Sequence, residues 1–309
     1  MEKYTVTTTQ GALTLGTNVY AQFVQYLDAS PKTIETYSKA IRQFAEYCSR
    51  QGITAPQRED IISYREELKA EHKPSTVQNY ITAVRLFFRW TDQAGIYPNV
   101  ADHVKGVKLD REHKKDYLTS EQAKNVLASV NTDTLKGKRD YAILSLMLTC
   151  GLRDIEVSRA NIEDLGTVAD STVLYVQGKG REERTEFVKV PAAAEKAIRT
   201  YLKERKEKDA KAPLFVSTSN NNNAGRLTTR SISSVVKETL RAAGYDSERL
   251  TAHSLRHTAV TLSLLAGKDI TEVQQFARHS NIATTMIYNH ALDKAKNSCS
   301  EAVANSLFG

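Results

Sequence analysis

Residues 253–257 read His253-Ser254-Leu255-Arg256-His257, a run that sets an imidazole and a guanidinium three residues apart on one face of a predicted helix. Earlier in the chain, Gly151-Leu152-Arg153 places a second arginine directly after a predicted buried helix, where a glycine turn can aim it into a cleft. Arginine suits phosphate because its rigid fork of donors matches two non-bridging oxygens. Two arginines opposite one phosphate offset the charge that builds up in a pentacoordinate transition state. The two stretches therefore predict phosphoryl transfer on a polyanion.

Three further side chains complete this set. Lys179 lies in Gly178-Lys179-Gly180 at the tip of a predicted hairpin, from which it can protonate a leaving oxygen as a general acid. His279 follows 23 residues after Arg256, and Tyr288 follows nine residues after His279. A free phenol has a pKa of about 10, and a close positive charge lowers such a value by about 1–3 units. Tyr288 is therefore the candidate nucleophile.

Each of these residues also has a purely structural interpretation, because short motifs often arise by chance. Arg153 could be the ion-pair partner of Glu156. His279 could cap a helix, and Tyr288 could belong to a core. The functional interpretation rests on the whole set, which occurs in one order along one chain.

A zinc hydrolase is one alternative class. His253 and His257 are four residues apart, as two zinc ligands on one helix would be. However, Ser254 stands where the zinc-binding motif H-E-x-x-H has glutamate, and no third ligand has suggestive spacing. We therefore expect neither a metal nor any other cofactor.

The composition is that of a globular protein attracted to something acidic. The chain has 309 residues, a formal net charge of +7 and a pI near 9.1, which favours nucleic acid as the partner over a membrane surface. Its three cysteines are far apart and include no C-x-x-C pair, so no disulfide framework is implied. The N-terminus has no apolar signal-peptide core, and the longest apolar stretch, Tyr141–Cys150, is far shorter than the roughly 20 residues of a membrane span. We expect a cytoplasmic protein.

The hydrophobic pattern divides the chain into segments. Residues 1–17, rich in Thr and Gly, predict a flexible tail, and residues 18–106 predict a small all-helical module. Residues 107–117 are charged and without period, which is typical of an inter-domain linker. Residues 118–309 form a second folding unit, whose last segment, 293–309, is weakly amphipathic.

Local signals predict the main elements of both units. In the first unit, Ser30-Pro31 supplies a helix start, and the aromatic residues of the third helix keep the spacing of a core rather than of a base-stacking surface. In the second unit, Thr119 and Gln122 fit a capping box. The predicted elements are helices over Arg58–Ala70, from Ser75 and over Tyr141–Thr149, strands over Thr172–Gln177 and Thr185–Val190, a mostly helical segment after Pro191 and a loop at Asn220–Asn223.

These motifs resemble those of the tyrosine recombinase (integrase) family, closest in layout to Xer-like, transposon and phage integrases. Gly-Leu-Arg-x-x-Glu at 151–156 is similar to the family's first arginine motif, and His-x-Leu-Arg-His at 253–257 is similar to its second. The resemblance covers nearly the whole chain. It implies a mainly α fold with a small β-sheet, in which an N-terminal helical core-binding (SAM-like) domain at 18–106 precedes a C-terminal mixed α/β catalytic domain at 118–309. The implied catalytic residues are Arg153, Lys179, His253, Arg256, His279 and Tyr288.

The resemblance also implies a mechanism. The cations and imidazoles activate the phosphate while Tyr288 forms a 3′-phosphotyrosyl link, which keeps the phosphodiester energy so that strands exchange without ATP or metal. One departure is Ala277-Arg278 before His279, where the family usually has Leu-Gly. An arginine at that position could shift the helix end or add a phosphate contact.

Duplex DNA is the implied partner, held by the two domains in a C-shaped clamp. A predicted helix near Thr228 resembles one that enters the major groove, although its polar face could simply be solvated. The tail helix 293–309 resembles one passed to a neighbouring subunit, which implies a cyclic homo-tetramer on DNA, but it could also pack on its own subunit. Off DNA the protein could be a monomer, and accessory proteins could assist it. The implied DNA-binding residues are Arg230, Ser231, Ser234 and Lys237.

Two other functions would account for many of the same sequence features. A DNA-binding regulator without catalysis accounts for the charge and the helical module, but it gives no reason for Tyr288 or for the intact set of cations. A type IB topoisomerase uses the same chemistry and is distinguished by the absence of tetramers and of exchange between two sites. We therefore predict a site-specific DNA recombinase.

Overall fold

The computed structural model describes residues 17–109, 116–178, 184–219, 224–296 and 298–308. Residues 1–16 of the predicted tail, 110–115 of the predicted linker, Lys179 and the predicted loop Asn220–Asn223 lie outside the described residues. The chain divides into two compact units, Met1–Arg111 and Glu112–Gly309, each with its own hydrophobic core. It is mostly helical, with a small three-stranded sheet, and the predicted fold class is confirmed.

The first unit is a helical module built around aromatic side chains. Its helices are α1 (Thr17–Tyr26), α2 (Pro31–Arg50), α3 (Arg58–Glu71) and α4 (Pro74–Gln93). Ser30 caps α2, because its Oγ accepts a hydrogen bond of 3.3 Å from the backbone of the first turn, where Pro31 also lies. Tyr80, Phe87 and Phe88 are buried, so the aromatic residues of α4 form core and not a base-stacking surface.

The second unit is organised around α6. Its helices are α5 (Ser120–Ala128), α6 (Leu135–Cys150), α7 (Asp154–Arg159), α8 (Ala192–Arg205), α9 (Thr229–Ala242), α10 (Ala252–Leu265), α11 (Ile270–Ala277), α12 (Ile282–Lys296) and α13 (Cys299–Phe308). The predicted capping box starts α5, because Thr119 and Gln122 exchange hydrogen bonds of 2.9 and 3.2 Å. α6 is largely buried and packs against α8 and α10. None of the described helices is both long and apolar enough to cross a membrane.

A three-stranded antiparallel sheet lies in the second unit. Its strands are β1 (Leu165–Val168), β2 (Ser171–Val176) and β3 (Glu186–Lys189), in that spatial order, with Leu174 of β2 opposite Leu165 and Val188. The sequence predicts β2 and β3 but misses β1. The turn that joins β1 to β2 places Ala169 and Asp170 at φ +45° and +60° without a glycine, so the usual Asn-Gly or Asp-Gly hairpin signal is absent there.

The predicted tail helix 293–309 is divided between two elements. α12 carries Tyr288 and runs on to Lys296, so the first residues of the predicted segment belong to the helix of the tyrosine itself. α13 is a separate helix that begins at Cys299. Its apolar side chains are exposed, with relative exposures of 58% for Val303, 69% for Leu307 and 88% for Phe308.

Candidate active site

Arg153 is placed by the turn that ends α6. Gly151 adopts φ +58°, and a Cβ at that position would come within 3.2 Å of the Phe276 ring, so the turn favours glycine on both counts. Arg153 then precedes α7, where its backbone N–H donates to Glu156 Oε2 at 2.8 Å and its Nη1 donates to Glu156 Oε1 at 2.9 Å. The Arg153 side chain keeps 28% exposure. The ion pair with Glu156 therefore orients Arg153 without burying it.

Arg256 joins the turn after α6 to the end of α11. It lies on α10 and is almost fully buried, with Nη1 donating to the Gly151 carbonyl at 2.6 Å and Nη2 donating to the Ala277 carbonyl. Burial, together with the positive charges of Arg153 and Arg278, lowers the pKa of Arg256 to about 9. The guanidinium is still charged at neutral pH, and an arriving phosphate would relieve the repulsion among these cations.

His279 lies between α11 and α12 as a neutral imidazole. Its Nδ1 is 2.8 Å from Thr285 Oγ1, and its carbonyl accepts a hydrogen bond of 3.0 Å from Gln274 Nε2. Burial lowers the pKa of His279 to about 4, and the charge of Arg256 acts in the same direction. An uncharged ring at neutral pH can donate one hydrogen bond and accept another.

Tyr288 lies on α12 against two imidazoles. Its ring centroid is 5.0 Å from that of His257 and 6.3 Å from that of His279, and the residue is 6% exposed. Burial raises the pKa of Tyr288 to about 12, although the charges of Arg256 and Arg153 act in the opposite direction. The nearby cations lower this pKa as expected, but desolvation of the phenolate outweighs their attraction, so the pKa of Tyr288 in the free protein lies above its ordinary value.

His257 is a site residue that is absent from the predicted catalytic set, although the sequence indicates it through its spacing from His253 and its place at the end of the His-x-Leu-Arg-His motif. The two rings lie one helical turn apart on α10, with 4.6 Å between centroids, and His257 contacts Tyr288 as well. His253 is exposed whereas His257 is buried, so the pair leads from the protein surface to the phenol. Among the described residues, no group of three His, Cys, Asp or Glu side chains is arranged to hold a metal ion.

Lys179 cannot be compared with this cluster, because it lies outside the described residues. The strands that flank its segment are described, since β2 ends at Val176 and β3 begins at Glu186. Arg159, the last residue of α7, donates from Nη1 to the Gly178 carbonyl at 3.2 Å. The start of the predicted hairpin loop is therefore tied to the helix that follows Arg153.

The four predicted DNA-binding residues lie on α9, and they differ in whether their side chains already form hydrogen bonds or ion pairs within the protein. Ser231 and Ser234 form hydrogen bonds within α9 and its cap. Lys237 Nζ lies 3.2 Å from Asp246 Oδ1, so its charge is already paired. Arg230 is exposed, and its side chain forms no hydrogen bond or ion pair with another described residue. Arg230 is therefore the member of this group that is most available to a phosphate or a base.

Arg278, which the sequence marks only as a departure, is also part of the cluster. Its Nη2 lies 2.8 Å from Glu156 Oε2, and the side chains are 7% and 1% exposed. No local pattern predicts this pair, because the two residues are 122 positions apart in the chain.

Comparisons with known proteins identify the family. Residues 116–295 match the phage integrase family, and residues 19–96 match the N-terminal SAM-like domain of phage integrases. The chain is 36% identical over 219 residues to the tyrosine recombinase XerC of Caldanaerobacter subterraneus subsp. tengcongensis, which covers 69% of this chain but only 58% of that protein. It is 29% identical over 273 residues to the tyrosine recombinase XerC of Thermodesulfovibrio yellowstonii, which covers 84% of this chain and 86% of that protein.

Solved structures share the fold. One is the XerH site-specific recombinase bound to a palindromic difH substrate in a post-cleavage complex, with a TM-score of 0.74 and 22% identity, covering 89% of this chain and 81% of that one. Another is a lambda integrase dimer bound to a COC′ core site, with a TM-score of 0.66 and 17% identity, covering 86% of this chain and 96% of that one. The family match and the XerC relatives support neither a metallohydrolase nor a non-catalytic regulator. The chain therefore belongs to the phage integrase family, as a tyrosine recombinase, an enzyme that breaks and rejoins DNA.

Proposed function

We propose that this protein cuts and rejoins duplex DNA at specific sites through Tyr288 and exchanges strands between two such sites. The position of Tyr288 carries the proposal. Its ring packs against His257 and His279, and the charges of Arg153 and Arg256 act on its phenol. Phosphoryl transfer to a protein side chain requires a nucleophile, a proton acceptor and cations that bind the phosphate, all close together. This cluster contains all three.

In the proposed step, the Tyr288 oxygen attacks the scissile phosphorus and the bond from phosphorus to the 5′ oxygen breaks. The products are a 3′-phosphotyrosyl link and a 5′ hydroxyl. The phenol proton passes to an adjacent neutral imidazole, and the 5′ oxygen takes a proton from Lys179, the proposed general acid. Arg153 and Arg256 stabilise the charge of the pentacoordinate phosphorus through their N–H donors. Attack by a 5′ hydroxyl on the link reverses these steps and reseals a strand.

Before DNA binds, the cluster holds Tyr288 as a neutral phenol, because burial raises its pKa to about 12. A bound phosphodiester brings its negative charge next to the arginines and would not by itself favour the phenolate. Transfer of the proton to a neighbouring imidazole as the bond forms avoids a free phenolate. His279 is available for this role, because its pKa of about 4 leaves it unprotonated at neutral pH, and the negative charge of a bound phosphate would raise that pKa toward the range of an effective base.

Assembly is the second part of the proposal. XerH and lambda integrase are each bound to a DNA recombination site in the structures compared above. We infer that this chain binds such a site as a homo-tetramer, with α13 packed on a neighbouring subunit. Support comes from the exposure of Val303, Leu307 and Phe308, which are apolar side chains that gain from burial. Accessory proteins would assist it, and its DNA substrate suggests the cytoplasm as the place of action.

A covalent-trapping experiment tests the proposed function. The protein is incubated, in EDTA and without added metal, with nicked duplexes drawn from the DNA that flanks its gene, and the products are run on a denaturing gel. Cleavage releases the short fragment between the cleavage point and the nick, and this fragment diffuses away with the 5′ hydroxyl that resealing needs. The phosphotyrosyl adduct therefore accumulates. We expect an adduct with wild-type protein and none with Tyr288→Phe.

The matched control is Tyr245→Phe, which also removes one phenol oxygen from the second unit. The Tyr245 hydroxyl lies 3.4 Å from Asn125 Nδ2 and has no contact with the cluster, so its loss should leave the adduct unchanged. An adduct that persists in Tyr288→Phe contradicts the assignment of the nucleophile. Tight, site-specific DNA binding by wild-type protein with no adduct on that same site contradicts the proposed catalysis.

A further inference from the structure

Arg278 occupies a backbone conformation that disfavours it. It caps the C-terminal end of α11 with φ +52° and ψ +47°, in the left-handed region where a Cβ is strained and glycine is usual. Its backbone N–H donates to the carbonyls of Gln274 and Gln275, as in an ordinary helix end. The helix end therefore does not need an arginine. The reason for this residue must be sought in its side chain.

The Arg278 guanidinium points into the protein and forms hydrogen bonds there. Its Nη1 donates to the Phe276 carbonyl at 2.9 Å, and its Nη2 donates to Glu156 Oε2 at 2.8 Å and, more weakly, to the Gly151 carbonyl at 3.4 Å. The side chain is 7% exposed. Nε has no hydrogen-bond partner among the described residues but is buried, so a phosphate that approaches from the solvent does not reach it, and the geometry does not support the alternative in which Arg278 adds a phosphate contact.

Two of the three groups that Arg278 contacts, the Glu156 carboxylate and the Gly151 carbonyl, are shared with a proposed phosphate clamp. Glu156 Oε1 accepts a hydrogen bond from Arg153 Nη1 at 2.9 Å, and Glu156 Oε2 accepts one from Arg278 Nη2 at 2.8 Å. The Gly151 carbonyl accepts from Arg256 at 2.6 Å and from Arg278 at 3.4 Å. Arg278 therefore connects the carboxylate that orients one clamp to the turn that holds the other.

The charge balance favours the same interpretation. Glu156 is almost fully buried, and burial alone would raise its pKa, yet the charges of Arg278 and Arg153 together with the Arg153 backbone N–H hold that pKa below its usual value. A carboxylate that stays ionised keeps its grip on the Arg153 guanidinium. Removing Arg278 would leave a buried carboxylate with less compensation, and its protonation would release Arg153.

We propose that Arg278 is a positioning residue for the reaction, which holds Arg153 through Glu156 and supports the Gly151 turn to which Arg256 is bound, without touching the phosphate itself. The inference rests on the proposed function, because it concerns the geometry of the two clamps. A displacement of a catalytic group by about 1 Å can cost about a hundredfold in rate. Arg278 should therefore influence the rate of cleavage more than the affinity for DNA.

The test compares adduct formation by three variants in a single-turnover experiment on a nicked duplex that wild-type protein cleaves. Arg278→Gly removes the guanidinium and relieves the left-handed strain. Arg278→Lys keeps a positive charge but lacks the fork that reaches Glu156 and a carbonyl together. Lys206→Gly is the matched control, because Lys206 ends α8 at φ +58° with an exposed side chain, so only backbone strain is relieved.

We expect Arg278→Gly to form the adduct roughly 10- to 100-fold more slowly, with unchanged DNA affinity and a cooperative thermal unfolding transition. Arg278→Lys should recover part of the rate, and Lys206→Gly should match wild type. At low pH, the fall in rate should begin at a higher pH in Arg278→Gly than in wild type, because Glu156 and His279 both lose the positive charge of Arg278, which lowers their pKa values. A residue that merely stabilised the fold would lower the melting temperature without changing the pH at which the rate begins to fall.

Other outcomes separate the two proposals. If wild-type protein forms the adduct and Arg278→Gly forms it at the same rate, the role of Arg278 is contradicted while the proposed function stands. Loss of DNA binding and of cooperative unfolding in both Arg278 variants, with no recovery by lysine, would also contradict a positioning role. If wild-type protein binds its site and forms no adduct, the proposed function fails and the inference fails with it.

Discussion

The guanidinium of Arg256 donates to the carbonyl of Gly151 at 2.6 Å, although the two residues are 105 positions apart in the chain. This bond ties α10 to the turn from which Arg153 projects. The spacing of two arginines that must act on one phosphate therefore depends on a contact between a side chain and a backbone carbonyl. The turn after α6 is as much a part of the candidate site as the arginines themselves.

Replacing Arg256 with lysine should abolish most of the activity while keeping a positive charge. A lysine cannot reach the carbonyls of Gly151 and Ala277 together and still present donors to a phosphate. Loss of one preorganised donor to a developing charge typically costs about 10²–10³-fold in rate. Single-turnover adduct formation measures the effect. A rate within tenfold of wild type would contradict the role given to the guanidinium fork.

Gly151→Ala should destabilise the protein more than a comparable change elsewhere. A left-handed backbone costs an L-residue about 1–2 kcal/mol, and here the new Cβ would also press on the Phe276 ring at 3.2 Å. Gly244→Ala is the matched control, because Gly244 has φ +86° with no atom within 4 Å of an added Cβ. Thermal unfolding followed by circular dichroism compares the two. Equal losses of stability would show that the contact with Phe276 has no energetic weight.

The stability of the protein should fall as the pH is lowered through the range in which His279 titrates. Its pKa is lowered by burial to about 4, whereas an unfolded imidazole titrates at about 6.5, so the unfolded state binds more protons in between. Stability is therefore fully present above about pH 6.5 and is lost as the pH falls toward about 4. His279→Gln, which has no imidazole to titrate, should show a shallower fall in the free energy of unfolding. An unchanged slope would contradict the assignment.

On α9, Arg230→Ala should weaken DNA binding more than Lys237→Ala, because the Arg230 side chain is exposed whereas the Lys237 side chain is already in an ion pair. Arg230 is exposed, so its loss should weaken DNA binding and, if it meets a phosphate, lower the dependence of log K on log salt by about one. Lys237 is paired with Asp246 at 3.2 Å, so its loss should affect DNA binding less. Binding titrations at several salt concentrations measure both. A larger loss of affinity for Lys237→Ala than for Arg230→Ala would reverse this assignment.

Truncation after Lys296 should remove assembly but not DNA binding. The missing segment includes α13, whose apolar side chains Val303, Leu307 and Phe308 are exposed and are proposed to pack on a neighbouring subunit. We expect the truncated protein to bind a single site with the affinity of the full chain and to form no higher complex with two sites. Sizing of the protein–DNA complexes by light scattering distinguishes the two states. A tetramer formed without α13 would refute its proposed role.

Much of the fold follows from local patterns. The capping box at Thr119 and Gln122, the cap at Ser30 and the helical spacing of Tyr80, Phe87 and Phe88 each act over a few residues, and the structure bears out each of them. β1 is different, because its turn adopts positive φ at Ala169 and Asp170 without a glycine. Pairing with β2, and not the local sequence, makes that segment a strand.

The sequence by itself determined which chemical groups this protein has and in what order, and that order was enough to resemble the tyrosine recombinases. Only the tertiary structure decided how those groups affect one another. Burial raises the pKa of Tyr288 against the pull of two arginines, and Arg278 meets Glu156 across 122 positions of chain. Desolvation and long-range ion pairing depend on what surrounds a group in space. Neighbours in space are set by packing, which a local pattern does not contain.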